Sequence, residues 1–202
     1  MKRKGFTLIE MLVVIGILAI LMGAGLASFS SATKKAQKAK AQELVTQVAT
    51  ALEAIYQKEG CWPRRITAAA SSDAEFTPEL AYELAKRGAM SLTYDDTQKR
   101  TTGADSCGIV SPWAQQTIKR VGTGFSEGTH VSTGGTIRDH RLHFAIDTEG
   151  KGLVKANVGG QAVTVRSTAV VWCCGYDGKI ERYSEGLRSD DVYSWSKMQI
   201  KD

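Results

Sequence analysis

A single carboxylate inside an unbroken apolar run constrains this chain more than any other feature. Phe6 to Phe29 is 24 residues long, and Glu10 is its one ionisable side chain. At about 1.5 Å of rise per residue, a helix of that length covers a hydrocarbon core of roughly 30 Å, so the run predicts a membrane-spanning helix. A carboxylate within such a helix costs ~2.5–3.5 kcal/mol on insertion scales and therefore has a partner or a task. Cleavage after Gly5 would expose the α-amine of Phe6 as that partner, on the same chain or on a neighbouring copy. The alternative is an ordinary anchor whose Glu10 reaches back to the headgroups. Lys2, Arg3 and Lys4 supply three of the +5 formal charges, leaving +2 without them. The basic balance is partly a leader effect and calls for no specific nucleic-acid partner.

The stretch Gly5-Phe6-Thr7-Leu8-Ile9-Glu10-Met11-Leu12-Val13-Val14 resembles the N-terminal signature of type IV pilins and type II secretion pseudopilins. The resemblance implies cleavage after Gly5 and N-methylation of Phe6 by a prepilin peptidase/methyltransferase. It further implies assembly with other pilin-like subunits into a helical homopolymer, with Glu10 at the family's acidic position. The precursor would sit in a bacterial inner membrane, leader cytoplasmic and head periplasmic, and an inner-membrane platform would assemble it into a pseudopilus or an extracellular pilus. One departure is that Ala27-Ser28 stands where many members carry a proline. A rival reading is a signal peptide cut near Ala27, releasing a secreted calcium- or ligand-binding domain. The apolar run exceeds the usual h-region of about 7–15 residues, and that reading gives Glu10 no role.

Beyond the span, Lys34, Lys35, Lys38 and Lys40 form a basic flank. Ala41, Leu44, Val48, Ala51, Leu52 and Ile55 then recur at three- and four-residue steps, which predicts an amphipathic continuation of the same helix. Gly60 and Pro63 end it. The expected organisation is a leader over 1–5, a transmembrane or filament-core helix over 6–29, its amphipathic half over 30–59 and a globular head over 60–202. Within the head, Thr77 to Gly88 reads as a short helix with Pro at its first turn, and 91–106 and 122–135 read as loops. Leu142, Phe144 and Ile146, then Ala162 to Val165, then Ala169 to Trp172, read as strands. Asp177-Gly178 predicts a hairpin between Trp172 and Ile180. The fold class is α+β: a long N-terminal helix packed on a meandering C-terminal antiparallel sheet, pilin-like.

Cys61, Cys107, Cys173 and Cys174 would lie in an oxidising compartment, where an even count favours disulfides. The adjacent pair is expected to reach the distant Cys61 and Cys107, with connectivity open; zinc is disfavoured because no CxxC or paired-His spacing occurs. His130, His140 and His143 read as surface or loop histidines. Without a nucleophile–base constellation or a phosphate-binding loop, the chain is expected not to be an enzyme.

Two segments sharpen the resemblance. Ser111-Pro112-Trp113 is similar to a D-P-W segment of major type II secretion pseudopilins, and Gly175-Tyr176-Asp177-Gly178 with Gly186 to Trp195 is similar to their closing motif. In those relatives the loop binds calcium. The resemblance implies a calcium site from the carbonyl of Leu187 with Ser189, Asp190, Asp191 and Asp177, oxygen donors suited to a cation that takes six to eight. The plainer alternative makes Asp177-Gly178 a turn and Asp190-Asp191 a solvated loop anchored by Trp195. Asp147 to Gly150 reads as a turn. These segments favour a secretion pseudopilus over a surface type IV pilus used in adhesion, motility or DNA uptake.

Overall fold

The computed structural model describes residues 7–92, 94–95, 97, 100–101, 108–113, 119–121, 124–126, 140–183 and 190–196, with backbone alone at 21–30, 94–95, 100–101, 119–121 and 124–126. Gly5, Phe6, Cys107, His130, Leu187 and Ser189 lie outside these residues. The chain divides into two compact units, Met1–Gln37 and Lys38–Asp202.

Helix α1 runs Leu8–Glu59. In the first unit every large apolar side chain described between Leu8 and Ile20 is exposed, from 47% at Leu18 to 84% at Leu8. A helix that is apolar all round is built to be covered by something other than its own chain. Among the described residues no helix is long and apolar enough to cross a membrane. Of the expected 6–29 span, side chains are described only from Thr7 to Ile20.

In the second unit α1 is amphipathic as its spacing requires. Ala41, Val45, Val48, Ala49, Leu52 and Ile55 are buried. Its end is closed by the Gly60 N–H donating to Tyr56 O at 2.8 Å. Then come α2 (Arg64–Ala69), β1 (Ala74–Glu75), α3 (Pro78–Lys86), β2 (Tyr94–Asp95), β3 (Arg100–Thr101), β4 (Lys119–Val121), β5 (Gly124–Ser126), β6 (His143–Ile146), β7 (Val154–Val158), β8 (Gln161–Val165), β9 (Ala169–Cys173) and β10 (Val192–Tyr193). The main sheet has the order β1-β6-β9-β10, antiparallel throughout. The pairs β2–β3, β4–β5 and β7–β8 are separate two-stranded ribbons.

An α+β architecture results, an N-terminal helix followed by antiparallel sheets, as in a pilin. Period-2 alternation explains why all five residues of β9 are buried. Ala169, Val171 and Cys173 join the core built with α1, α2 and α3. Val170 and Trp172 join a second core beneath the β7–β8 ribbon, with Val154, Val158 and Val165. The sheet is thus covered on both faces, and its strands read as continuous apolar runs rather than alternating ones.

Four local expectations are corrected. The hairpin between Trp172 and Ile180 does not form: the turn closes, with Gly178 at φ 73°, but β10 takes the edge of β9 instead, Val192 opposite Cys173 and Tyr193 opposite Trp172. The cause is that acceptors distant in sequence capture the N–H groups of Gly175, Tyr176 and Glu181. Short strands β2–β3 occupy part of the 91–106 loop, and β5 part of the 122–135 loop. The sheet is not a simple meander, because the β7–β8 ribbon intervenes between neighbours β6 and β9. Finally, His140 is fully buried, and His143 is half-buried, bonded to Asp73 Oδ1 at 2.6 Å and stacked on Trp172 at 5.8 Å.

Candidate functional site

The first helical turn has a specific geometry. The Thr7 N–H and Oγ1–H both donate to Glu10 Oε2 at 2.8 Å, and the Glu10 N–H donates to Thr7 Oγ1 at 3.3 Å. These reciprocal bonds form a capping box, satisfying N–H groups that a helix start otherwise leaves without acceptors. The Thr-x-x-Glu spacing announces it, although reading Glu10 only as a misplaced charge passes over it. The carboxylate is therefore held at the helix start, at the edge of an exposed apolar surface. Gly5 and Phe6, the expected processing residues, precede the described residues.

The closing loop is the second candidate. Asp191 is 5% exposed. Its Oδ1 accepts the Gly175 N–H at 2.9 Å, and its Oδ2 accepts the Glu181 N–H at 2.9 Å and the Tyr193 hydroxyl at 3.3 Å. Asp190 Oδ2 accepts the Tyr176 N–H at 2.5 Å. Asp177 Oδ1 accepts the Lys179 N–H at 3.0 Å within its own turn. Trp195 packs against Trp172 and Tyr193 at 5.9 and 4.9 Å between ring centroids. Calcium needs six to eight oxygens. Asp190 and Asp191 are brought together, but three of their oxygens face N–H or O–H donors, and Asp177 joins a different turn. Among the described residues no group of three or more His, Cys, Asp or Glu could hold a metal ion. The described donors alone do not form a calcium cage.

Cys61 is exposed and free, and Cys173 and Cys174 are buried and free. Cys174 Sγ lies 3.2 Å from His140 Nδ1, which is 3.3 Å from Ser111 Oγ. Burial pushes the Cys174 thiol up to about 12, helped by the Asp191 and Asp177 carboxylates. Burial, then Cys174, raises the Cys173 thiol well above its ordinary value. Trp113 is buried in the helix-side core. Trp62 donates its Nε1–H to Asp147 O at 2.7 Å and packs on Tyr56. The Asp147 carboxylate accepts the Glu149 and Gly152 N–H groups at 3.0 and 2.5 Å, so Asp147 to Gly150 is the turn its sequence suggests.

The class that the structure defines is a helix-led α+β chain whose first turn carries an acid at the edge of an exposed apolar surface. Comparison with known proteins narrows this. Residues 1–26 match the prokaryotic N-terminal methylation motif. The type IV major pilin protein PilE of Neisseria gonorrhoeae is 37% identical over 67 residues, covering 33% of this chain and 40% of that protein. A PilE1 of the same organism is 36% identical over 72 residues, 36% of this chain and 34% of that protein. Over about a third of its length this chain is therefore similar to type IV major pilins. It spans 34% to 41% of the lengths of the curated relatives it matches. No solved structure matches it.

Proposed function

We propose that the chain is a pilin-type structural subunit. It is made as a membrane-inserted precursor, cleaved after Gly5 and N-methylated on Phe6 by a prepilin peptidase/methyltransferase, and polymerised through the first half of α1. The observation that carries this reading is the exposed apolar surface from Leu8 to Ile20, which coincides with the methylation motif. Copies of the same helix are its natural cover. Within that packing Glu10 matches the Phe6 amine of a neighbouring subunit. In apolar surroundings such a pair favours the register in which both charges are matched, because a slipped register leaves each unpaired.

The filament is a type II secretion pseudopilus, assembled on an inner-membrane platform with heads in the periplasm. The Ser111-Pro112-Trp113 segment and the Asp190-Asp191 to Trp195 closing motif support this choice. A second reading, a surface type IV pilus, is favoured by the similarity to type IV major pilins.

Intact-mass and N-terminal peptide analysis of protein from its native membrane tests the class. A chain starting at Phe6 with one added methyl group is expected, and a chain starting near Ser28 would overturn it. Gene deletion separates the filaments: loss of protein export with motility and transformation intact supports the pseudopilus, and the converse supports the pilus.

A further inference from the structure

Four donors converge on two carboxylates just beyond the end of β9. Three are backbone N–H groups, of Gly175, Tyr176 and Glu181, and the fourth is the Tyr193 hydroxyl. We propose that Asp190 and Asp191 act as a built-in anionic clasp that closes the 175–181 loop and seats β10 on β9 without a divalent cation. The proposal is independent of which filament the chain builds.

Three of the four carboxylate oxygens already accept from these donors. Asp191 directs Oδ1 to the residue that opens the loop and Oδ2 to a residue near its end, so one side chain spans both limbs. Consecutive N–H groups of Gly175 and Tyr176 make a small concavity of positive dipole ends, the kind of site that backbone offers to anions. Hydrogen bonds to an ionised acceptor are shorter and roughly twice as strong as neutral ones. A cation placed among these oxygens would meet the same N–H dipoles with the wrong sign and compete for the same lone pairs.

Gly175 supplies an independent mark of the arrangement. A Cβ added there would lie 2.0 Å from Asp190 Cγ and 2.3 Å from both of its oxygens. Glycine leaves room for the carboxylate as it stands, and any Cβ there would force the Asp190 side chain to shift. The consequence is transmitted directly, since Asp191 precedes Val192, whose pairing with Cys173 starts the β10 ladder. Ser194 extends it, its N–H donating to Val171 O and its Oγ accepting the Val171 N–H, both at 2.9 Å. The clasp takes the structural place that a metal would hold in such a loop.

The test uses the full chain in detergent micelles, with thermal unfolding followed by tryptophan fluorescence in excess EDTA and in millimolar calcium, and calcium binding measured by calorimetry. The clasp predicts equal melting temperatures in the two conditions and no calcium heat. Asp191→Asn and Gly175→Ala should each lower the melting temperature by several degrees, and calcium should restore neither. A wild-type melting temperature that calcium raises and EDTA reverses would overturn the proposal, whatever the variants do. So would a Gly175→Ala chain that melts like the wild type. Should either variant fail to fold, the wild-type comparison still decides.

Discussion

The two units of this chain use the same apolar residue types to opposite ends. From Leu8 to Ile20 valine, leucine and isoleucine are exposed, whereas among the described residues from Lys38 onward most of them are buried and the rest half-buried. The difference lies in spacing rather than composition. In the second unit Ala41, Val45, Val48, Leu52 and Ile55 lie on one face of α1, and β9 distributes alternate residues to two cores. Each face has a partner within the chain. In the first unit the apolar residues are nearly continuous, so no polar face exists to meet water. Such a contiguous apolar surface marks an interaction site with lipid or protein. One unit covers its apolar side chains by folding, and the other leaves its described ones exposed.

Placing a charge in each unit should separate these fates most sharply. Leu52→Asp buries a carboxylate in the helix-side core, where Leu52 is 0% exposed. A loss of more than about 4 kcal/mol is expected, enough to unfold the head. Ile15→Asp should leave the melting temperature of the head unchanged and abolish filaments. Circular dichroism melts and electron microscopy read the two effects, and a drop in head stability from Ile15→Asp would break the comparison. A step smaller, Trp172→Ala removes a fully buried tryptophan of the second core and should cost about 3–5 kcal/mol. Hydrogen exchange should then show β7 and β8 losing protection while α1 keeps its own.

Much of this contrast is legible before any coordinates, because periodicity is local. The apolar run of α1, its later one-faced spacing, α3 with Pro78 at its first turn, and strands β8 and β9 all follow from residue order. So does the N-terminal methylation motif. Val45 in the one-faced spacing, the alternation of β7 and the Thr7-x-x-Glu10 box are local signals of the same kind. What is not local is not legible. Nothing near Asp191 in sequence reveals that it reaches back 16 positions to the Gly175 N–H, and this contact cancels the hairpin that Asp177-Gly178 announces. The burial of His140 is equally non-local: its ring lies against Ser111 and Cys174, which are 29 and 34 residues away.

The buried thiols give a pH test confined to the second unit. Cys174 ionises at about 12 in the fold against an ordinary 9.0. Between those values the folded state holds a proton that the unfolded chain has released. The stabilisation is fully present below about 9 and is lost as pH rises towards 12, at up to about 1.4 kcal/mol per pH unit per thiol. Melting temperatures should fall accordingly, and Cys174→Ala should flatten the slope even if it lowers the starting value. In native protein a thiol reagent should label Cys61 and spare Cys173 and Cys174 until unfolding. Peptide mass analysis of the unlabelled chain would show whether Cys107 has joined any of them in a disulfide.

The smallest expected effect returns to the first unit. Thr7→Ala deletes the hydroxyl that both donates to Glu10 Oε2 and accepts the Glu10 N–H. One capping contact survives, the Thr7 backbone N–H to Glu10 Oε2, so the helix start should loosen rather than unwind. Amide exchange should quicken at residues 8–11 and nowhere beyond Lys38, with the head's melting temperature unmoved. Filament yield should fall modestly, because the carboxylate keeps its charge but loses part of the frame that aims it. Glu10→Ala should fall much further, since it removes the charge as well as the cap. If Thr7→Ala and Glu10→Ala reduce assembly equally, the box itself is what assembly requires, and charge matching with the Phe6 amine is not. If Glu10→Ala assembles at full yield, the first unit is held by its apolar surface alone, and the carboxylate serves only to start the helix.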